Sequence, residues 1–177
     1  FMKKDHDLAQ AYQAIDRLHG AGLIYDAHIM TGVAGKGRGM ENAEALAQFL
    51  NRTNPAHVVN FSMFLHKEVP LYQDIRQGTF VPADELETIR EEYHLIERIA
   101  PEKAGANILY DGFHDFIHVR VRGHLPGDKE KMLAKLNGII QEYEGKEPVY
   151  SFVQGECPDL EYCDDGKAVW DMDRKTS

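Results

Sequence analysis

An apolar stretch from Leu23 to Met30 runs into a glycine-rich loop and then into a helical pattern, and this order constrains the fold more than any other feature. The loop contains Gly32, Gly35, Gly37 and Gly39. Glycine permits positive φ and close approach to a ligand, and the following helix presents free N–H groups and the positive end of its dipole. The order favours a ligand-contacting turn, with a nucleotide-like ligand. A glycine-rich surface connection that binds nothing is the alternative.

Two phosphate-binding motifs do not fit this loop. The Walker pattern requires Lys and then Ser or Thr after its second glycine, whereas Gly37 is followed by Arg38 and Gly39. The dinucleotide fingerprint requires a third glycine where Met40 stands. The loop is therefore not diagnostic of phosphoryl transfer or of dinucleotide binding.

Composition and charge narrow the class of protein. The chain has 177 residues, 43% of them hydrophobic, which suits one domain with room for an appendage. Its formal net charge of -9 argues against a nucleic-acid partner, because the field of the whole molecule repels a phosphate backbone. No segment is apolar enough to cross a bilayer and the first residues lack an apolar signal core, so no membrane association and a cytoplasmic location are expected. Cys157 and Cys163 are then expected to be reduced thiols.

Helical and strand-like patterns alternate along most of the chain. Apolar residues at helical spacing predict helices at Leu8 to Leu18, Ala43 to Leu50, Leu71 to Arg76 and Leu86 to Ile99. Short apolar runs predict strands at Leu23 to Met30 and Val58 to Leu65. Pro82 to Asp84 is a helix-start signal for the last helix. Such alternation is typical of parallel βαβ units, whose ligands bind at the carboxyl ends of strands, here Gly32 to Gly39 and Leu65 to Val69.

The last part of the chain has a different character. Apolar and polar residues alternate from Ile117 to Arg122, which predicts a half-exposed strand or extended segment. Gly123 to Asp128 predicts a turn, and Met132 to Tyr143 a closing amphipathic helix. The acid-rich stretch from Gly145 lacks periodicity and is expected to wrap the surface or fray.

Histidines suggest a metal site as one hypothesis. His114, Asp115, His118 and His124 form the tightest group, and a four-residue step places two imidazoles on one face of a helix or a strand. Ordinary surface or cap histidines explain the group as well. His28 falls within a predicted buried strand, where a histidine usually has a satisfied hydrogen bond.

Glutamates are concentrated on the long helix. They are Glu85, Glu87, Glu91, Glu92 and Glu97. A solvated helix face is their expected role, with Asp84 and Glu85 also favouring the positive end of the helix. No spacing predicts a paired-carboxylate site, and Ser62 lacks the flanking glycines of a nucleophile elbow.

A string of short motifs follows the segment Ile24 to Asn51. They are Asn54-Pro55, Pro70-Leu71-Tyr72, Gly78-x-Phe80 and Gly123-x-Leu125-Pro126-x-Asp128-Lys129. In this order they resemble the carboxyl-terminal part of a radical S-adenosylmethionine protein of the B12-independent Fe-S oxidoreductase type. The resemblance covers Asp7 to Tyr143, and that type has no assigned substrate.

In that family an incomplete ring of parallel strands and helices holds a 4Fe-4S cluster on a CxxxCxxC loop, and the cluster cleaves S-adenosylmethionine to a 5′-deoxyadenosyl radical. This chain has no such cysteine triplet, and Cys157 and Cys163 are too few to replace it. The resemblance therefore implies an α/β fold, the C-terminal part of a partial (βα) TIM-type barrel. The cluster loop would lie upstream of Phe1.

The resemblance also implies a division of the chain and a role for it. Residues 1–104 would form the C-terminal half of the partial barrel, 105–147 an extension with the closing helix, and 148–177 an acidic tail. The chain would supply the adenine-side and substrate-side wall, and alone it would be inactive and bind neither S-adenosylmethionine nor the cluster. Its partner would be the upstream N-terminal half of the barrel, and the substrate is unknown.

Particular residues are implied as contacts of the cofactor. They are Met30, Gly32, Gly35, Phe64 and Leu65. The family's glycine-x-isoleucine-x-glycine strand, whose backbone touches adenine, falls at His28, Met30 and Gly32, and only Gly32 matches outright. His114 matches a histidine of this branch, without an assigned role.

Two other classes of function remain open. One is a small α/β binding module that self-associates through exposed strand edges and apolar faces. The other is a histidine-based metal-binding protein with its site at His114 and His118.

Overall fold

The computed structural model describes residues 5–152 and the backbone of residues 163–164 and 167–168. The elements are α1 Leu8–Gly20, β1 Asp26–Thr31, α2 Gly39–Thr53, β2 His57–Ser62, α3 Pro70–Arg76, α4 Glu85–Arg98, β3 Ile108–His114, β4 Val119–Leu125, α5 Lys129–Tyr143, and the strands β5 Cys163–Asp164 and β6 Lys167–Ala168. The predictions for the acidic tail beyond Phe152, including its two thiols, fall outside the residues whose side chains are described.

Four strands form one open, mostly parallel sheet in the order β1, β2, β3, β4. β1, β2 and β3 are parallel, and β4 is antiparallel to β3. The predicted strands at Leu23 to Met30 and Val58 to Leu65 do lie side by side, with Asp26 beside His57 and Thr31 beside Ser62. The α/β fold class is therefore confirmed. β1 is an edge strand of this sheet.

The helices α2, α4 and α5 pack on one face of the sheet. Right-handed crossovers between parallel strands in sequential order place their helices on the same side, which accounts for this one-sided layer. The shared core consists of Ala27, Ile29, Val58, Ile108, Tyr110, Val121 and Leu125 from the strands and Ala43, Ala47, Leu50, Ile89, Leu95, Ile96, Ile99, Met132 and Leu136. We call this side of the sheet the helix-covered face.

The alternate strand residues point to the opposite side, which we call the open face. The parallel register aligns them in rows across the strands. From the amino end to the carboxyl end of the parallel strands, the rows are Asp26, His57, Leu109 and His124; His28, Val59, Asp111 and Arg122; and Met30, Phe61, Phe113 and Arg120. None of the described helices shares a core with the central strands on this face.

A smaller apolar cluster lies beyond the carboxyl ends of β1 and β2. It consists of Met63, Leu65, Tyr72, Ile75, Phe80, Tyr150 and Phe152, with Met30, Val33 and Leu71 packed at its margin. The cluster joins α3 to the end of the described chain, where Leu65 pairs with Phe152 as an isolated bridge. This rim is the part of the fold that adjoins the glycine loop.

The predicted helix α4 begins where its start signal lies. Asp84 is the N-cap, and its side chain accepts a hydrogen bond from the Glu87 backbone N–H at 2.8 Å. The buried stripe of α4 is rotated from the predicted one, because Leu86 and Tyr93 are only half-buried. No helix of the described residues is both long and apolar enough to span a membrane.

Two features near the C-terminal side differ from the sequence pattern. β3 was not predicted, because Asp111-Gly112 in its centre has the composition of a turn. Ile117 belongs to a short 3-10 turn, and the predicted half-exposed strand begins at Val119 and extends to Leu125, into the predicted turn. The alternation itself is confirmed, since Val121 is buried while Arg120 and Arg122 are exposed.

Candidate functional site

Three glutamates of α4 are buried, so the expectation of a solvated glutamate face is wrong for them. Glu85, Glu91 and Glu92 are 1%, 2% and 0% exposed. Glu87 is half-buried and Glu97 is exposed. Because α4 runs back over the parallel strands, its first turns lie over their carboxyl ends. The buried glutamates face polar side chains that end those strands.

His114, the last residue of β3, lies between two of these glutamates. Its Nδ1 is 3.0 Å from Glu85 Oε2 and its Nε2 is 2.9 Å from Glu92 Oε2. Both ring nitrogens can donate at once only when the ring is protonated, so the two contacts favour an imidazolium at His114. Burial alone would lower its pKa, but the hydrogen bonds and charges of Glu85 and Glu92 outweigh burial and raise the pKa to about 10. We call these three residues the imidazolium clamp.

The Glu92 carboxylate receives two further hydrogen bonds. Asn60 Nδ2 donates to Glu92 Oε1 at 3.2 Å, and the Tyr110 hydroxyl donates to the same atom at 2.9 Å. Burial, together with the charge of Glu92, raises the pKa of Tyr110 well above its usual value, which keeps the hydroxyl a donor. Gly112 makes room for this carboxylate, since a Cβ there would overlap Glu92 Oε1.

The Glu85 carboxylate ties α4 to β2 and to the end of the described chain. Ser62 Oγ donates to Glu85 Oε1 at 3.2 Å, and Ser151 Oγ donates to the same oxygen. The Glu85 backbone N–H also donates to the Val149 carbonyl at 2.8 Å. The imidazolium clamp is therefore closed and satisfied: it joins four segments and presents no exposed atom to a substrate.

Glu91 holds the glycine loop. Its Oε2 accepts from the Gly32 backbone N–H at 3.0 Å, and its Oε1 accepts from Asn42 Nδ2 at 2.5 Å. Gly39 lies against the same side chain, where a Cβ would come within 3.0 Å of Glu91 Cβ. Burial raises the pKa of Glu91 to about 7, and the hydrogen bonds from Asn42 and Gly32 restrain that rise. The two ends of the loop thus meet at one carboxyl group.

Several other loop amides also have partners within the protein. The Lys36 N–H donates to the Val81 carbonyl at 2.8 Å, and the Gly35 N–H donates to the Gly32 carbonyl at 3.0 Å. Burial raises the pKa of Glu87, and a hydrogen bond from the Gly37 backbone counteracts it. The α4 carboxylates thus occupy the positions that a phosphate would take in a cradle of amides, which disfavours the nucleotide-like ligand at this loop.

The glycines themselves are required by packing. Gly32 has φ +84° and a Cβ there would lie 2.9 Å from Thr88 Cγ2. Gly35 has φ +81°, and a Cβ there would lie 2.7 Å from the Val81 carbonyl oxygen. Both positions combine the left-handed region with close contact to the protein. Their role in this loop is explained without a ligand.

The five residues implied as cofactor contacts are distributed around one rim. Met30 is half-buried on the open face and reaches the rim cluster. Gly32 and Gly35 are directed toward α4 and the Phe80 segment. Leu65 is buried in the rim cluster, whereas Phe64 beside it is exposed. Met30 and Phe64 are therefore the two whose side chains can reach a ligand.

The histidines do not gather as the metal hypothesis expects. His114 is buried on the helix-covered face, whereas His118 follows the 3-10 turn with φ 55° and is exposed. The expectation that the two share one face of a helix or a strand is wrong. His28 is exposed on the open face, so the expectation of a buried histidine is wrong as well. Among the described residues, no group of three or more His, Cys, Asp or Glu side chains is arranged so that it could hold a metal ion.

The carboxyl-end row of the open face and the row next to it combine aromatic rings with guanidinium groups. The rings of Phe61 and Phe113 stack with centroids 5.4 Å apart and planes 17° from parallel. The Arg120 guanidinium lies 4.6 Å from the centroid of the Phe113 ring and forms two hydrogen bonds to Asp111, at 2.8 and 2.6 Å. Arg122 is 3.8 Å from the same carboxylate. The Arg120 hydrogen bonds lower the pKa of Asp111 below its usual value.

Sequence reasoning missed the buried acids because residue type alone places glutamate at the surface. One signal was present. Positions 99, 96, 92, 89 and 85 continue a single helical stripe, so Glu92 and Glu85 extend the apolar face of α4. The partners in β2 and β3 could not be read from the pattern, because they are distant in sequence.

Comparisons with known proteins give no relative. No protein-family model matches the chain, no curated protein matches it, and no solved structure matches it.

Proposed function

We propose that the chain is the C-terminal side of a partial (βα) barrel of a radical S-adenosylmethionine oxidoreductase and that it contributes wall and substrate-side surface to the whole enzyme. One observation carries the proposal: β1, β2 and β3 are parallel in sequential order, and the helices that pack on them share one face. Barrels are built in this singly wound way, with helices outside and strand side chains inside. The open face would line the lumen.

The two edges of the sheet support this assignment. At the β4 edge, Lys135 Nζ donates to the Arg120 carbonyl at 2.6 Å, a contact that protects an edge from further pairing. At β1, the Thr31 carbonyl accepts from Met63, so odd-numbered residues face β2 and the even-numbered Asp26 and His28 direct their backbone groups outward. A parallel strand from the upstream half would pair there.

The residues present fit part of the implied cofactor chemistry. A 4Fe-4S cluster needs three or four thiolates, and two cysteines cannot supply them, so no step through the cluster is derived from this chain. The adenine side fits better, because Met30, the residue before the last in β1, has a half-buried side chain on the open face. When bound in the whole enzyme, S-adenosylmethionine would supply the radical, and this chain would contribute apolar contact and exclude water.

The experiment is to read the coding sequence that precedes Phe1 and to express the longer polypeptide. We expect a CxxxCxxC loop there, visible iron-sulfur absorption after anaerobic reconstitution, a 4Fe-4S signal in electron paramagnetic resonance after reduction with dithionite, and release of 5′-deoxyadenosine when the reduced protein is given S-adenosylmethionine. The 177-residue chain is the control and should show no visible iron-sulfur absorption. A preceding sequence without the cysteine triplet, or a stoichiometric cluster on the control, would contradict the proposal.

A second candidate is a small α/β module that self-associates. The β1 edge, which pairs with no further strand among the described residues, favours it, since outward backbone groups of Asp26 and His28 can pair with another chain. Sedimentation equilibrium of the 177-residue chain tests this candidate. A concentration-dependent dimer that a proline at position 28 abolishes supports self-association, whereas a monomer at high concentration contradicts it.

A further inference from the structure

We propose that the carboxyl-end row of the open face, together with Arg122 of the neighbouring row, binds a flat aromatic carboxylic acid, with its ring over Phe61 and Phe113 and its carboxylate at Arg122. This inference rests on the proposed function, since it names the substrate class that the lumen side of this wall would accept. Phe61, Phe113, Arg120 and Arg122 are called the aromatic shelf.

The aromatic part of the shelf suits a flat molecule. Phe61 and Phe113 occupy adjacent strands in register, and their rings stack on each other as one aromatic group on the open face. Both side chains are half-buried. The row from Met30 to Arg120 crosses three strand spacings, about 14 Å, which accommodates fused rings. Ring stacking adds stabilisation beyond the burial of apolar area.

Charge selects an anion for this surface. The protein as a whole carries a net charge of -9, yet two guanidinium groups share a single carboxylate on this part of the open face. Arg120 is engaged with Asp111 through two hydrogen bonds, whereas Arg122 only approaches it at 3.8 Å. The Arg122 side chain is 55% exposed and retains donors for a second carboxylate.

The position of the aromatic shelf in the fold also favours a ligand there. The shelf lies at the carboxyl ends of β2 and β3, where open α/β sheets and barrels bind their ligands. In the glycine loop at the same rim, the Gly32 and Gly37 amides are hydrogen-bonded to Glu91 and Glu87. On the open face at this end of the sheet, anion-recognising groups are supplied by Arg120 and Arg122 of β4.

The test uses the 15N-labelled 177-residue chain titrated with 2-naphthoate and with the neutral isostere 2-naphthylmethanol, followed by amide chemical shifts. We expect shifts centred on Phe61, Phe113 and Arg122, and an affinity for the acid that is on the order of tenfold higher than for the alcohol. Arg122→Gln should abolish this preference. Arg90→Gln is the control, since it makes the same charge change on α4, where Arg90 pairs with the exposed Glu144. This variant should keep the preference for the acid.

Three outcomes would overturn the inference. They are the absence of shifts on the open face at millimolar probe, equal affinity for acid and alcohol, and the same loss in Arg122→Gln and Arg90→Gln. Chemical shifts that change with protein concentration and not with probe concentration would mean that the open face binds a second copy of the chain. That result would also contradict the inference. Because this titration needs neither cluster nor cofactor, its failure leaves the iron-sulfur test of the longer polypeptide unaffected, and the reverse holds too.

Discussion

The two faces of one sheet use charge in opposite ways. On the helix-covered face, Glu85, Glu92 and His114 are buried and fully hydrogen-bonded to one another and to polar strand ends. On the open face, Arg120 and Arg122 keep about half of their side-chain surface in solvent. The buried charges hold elements together, and the exposed ones remain able to bind a partner. The strongly perturbed ionisable cluster therefore lies on the face opposite to the one proposed to bind a ligand.

The largest expected difference between the faces comes from removing one histidine on each. His114→Ala leaves two buried carboxylates without their cation and should lower the free energy of unfolding by about 3–5 kcal/mol. His28→Ala, on the open face, should change it by less than about 0.5 kcal/mol. Urea denaturation of both variants measures the difference. Equal effects would show that the imidazolium clamp contributes nothing to stability.

The pH dependence of stability should also report the helix-covered face. The pKa of His114 is about 10 in the folded protein and 6.5 in the unfolded chain. Its contribution to the free energy of unfolding is therefore complete below pH 6.5 and is lost as pH rises through 10. The pKa of Glu91, about 7 against 4.5, adds a loss between pH 4.5 and 7. Between pH 7 and 9 these groups should lower stability by at most about 3 kcal/mol.

Urea denaturation at a series of pH values measures how the free energy of unfolding changes with pH. In Glu91→Gln the loss between pH 4.5 and 7 should disappear while the loss above pH 7 persists. His28→Ala should retain both parts of the slope, since His28 is exposed. Stability that rises with pH from 5 to 9 would contradict the assignment of an imidazolium at His114.

The glycine loop offers a smaller test of the same packing. Gly32→Ala should lower stability by roughly 1–3 kcal/mol, because φ is +84° and Thr88 Cγ2 is in the way. Gly138→Ala, in the exposed part of α5 with open space around it, should raise stability by roughly 0.5–1 kcal/mol. Thermal unfolding of the two variants measures whether each substitution lowers or raises stability. A neutral Gly32→Ala would mean that the loop is free to rearrange.

The smallest effect is expected on the open face. Arg122→Gln removes an exposed charge 3.8 Å from Asp111 and should change the free energy of unfolding by less than about 0.5 kcal/mol. The same variant should lose its preference for an aromatic acid. Calorimetric unfolding measures the change in stability, and the chemical-shift titration measures the preference for the acid. A large loss of stability would place Arg122 among the structural charges and remove the contrast between the faces.

The sequence predicted those parts of the fold that depend on local chemistry. The order of β1, α2, β2 and α4 followed from hydrophobic periodicity and from the Asp84 start signal, and the pairing of β1 with β2 followed from that order. β3 was missed because its centre has turn composition. The strand is stabilised by neighbours on both sides, which a local pattern does not contain.

The site was less predictable than the fold. Glu92 and His114 are 22 residues apart in sequence, and their pairing depends on how α4 crosses the sheet. The open face was equally hidden, since Phe61 and Arg120 become neighbours in one row only through the register of β2, β3 and β4. Residue types were visible in the sequence, but their partners are set by tertiary structure.

Amide hydrogen exchange at β1 tests the central claim most directly, because the claim is that this edge pairs with an upstream strand. In the 177-residue chain, the amides of Asp26, His28 and Met30 should exchange quickly, while those of Ala27 and Ile29, which face β2, should be protected. In the longer polypeptide, the first group should become as protected as the second. Fast exchange of Asp26 and His28 in both proteins would contradict the assignment of this chain to the far side of a barrel.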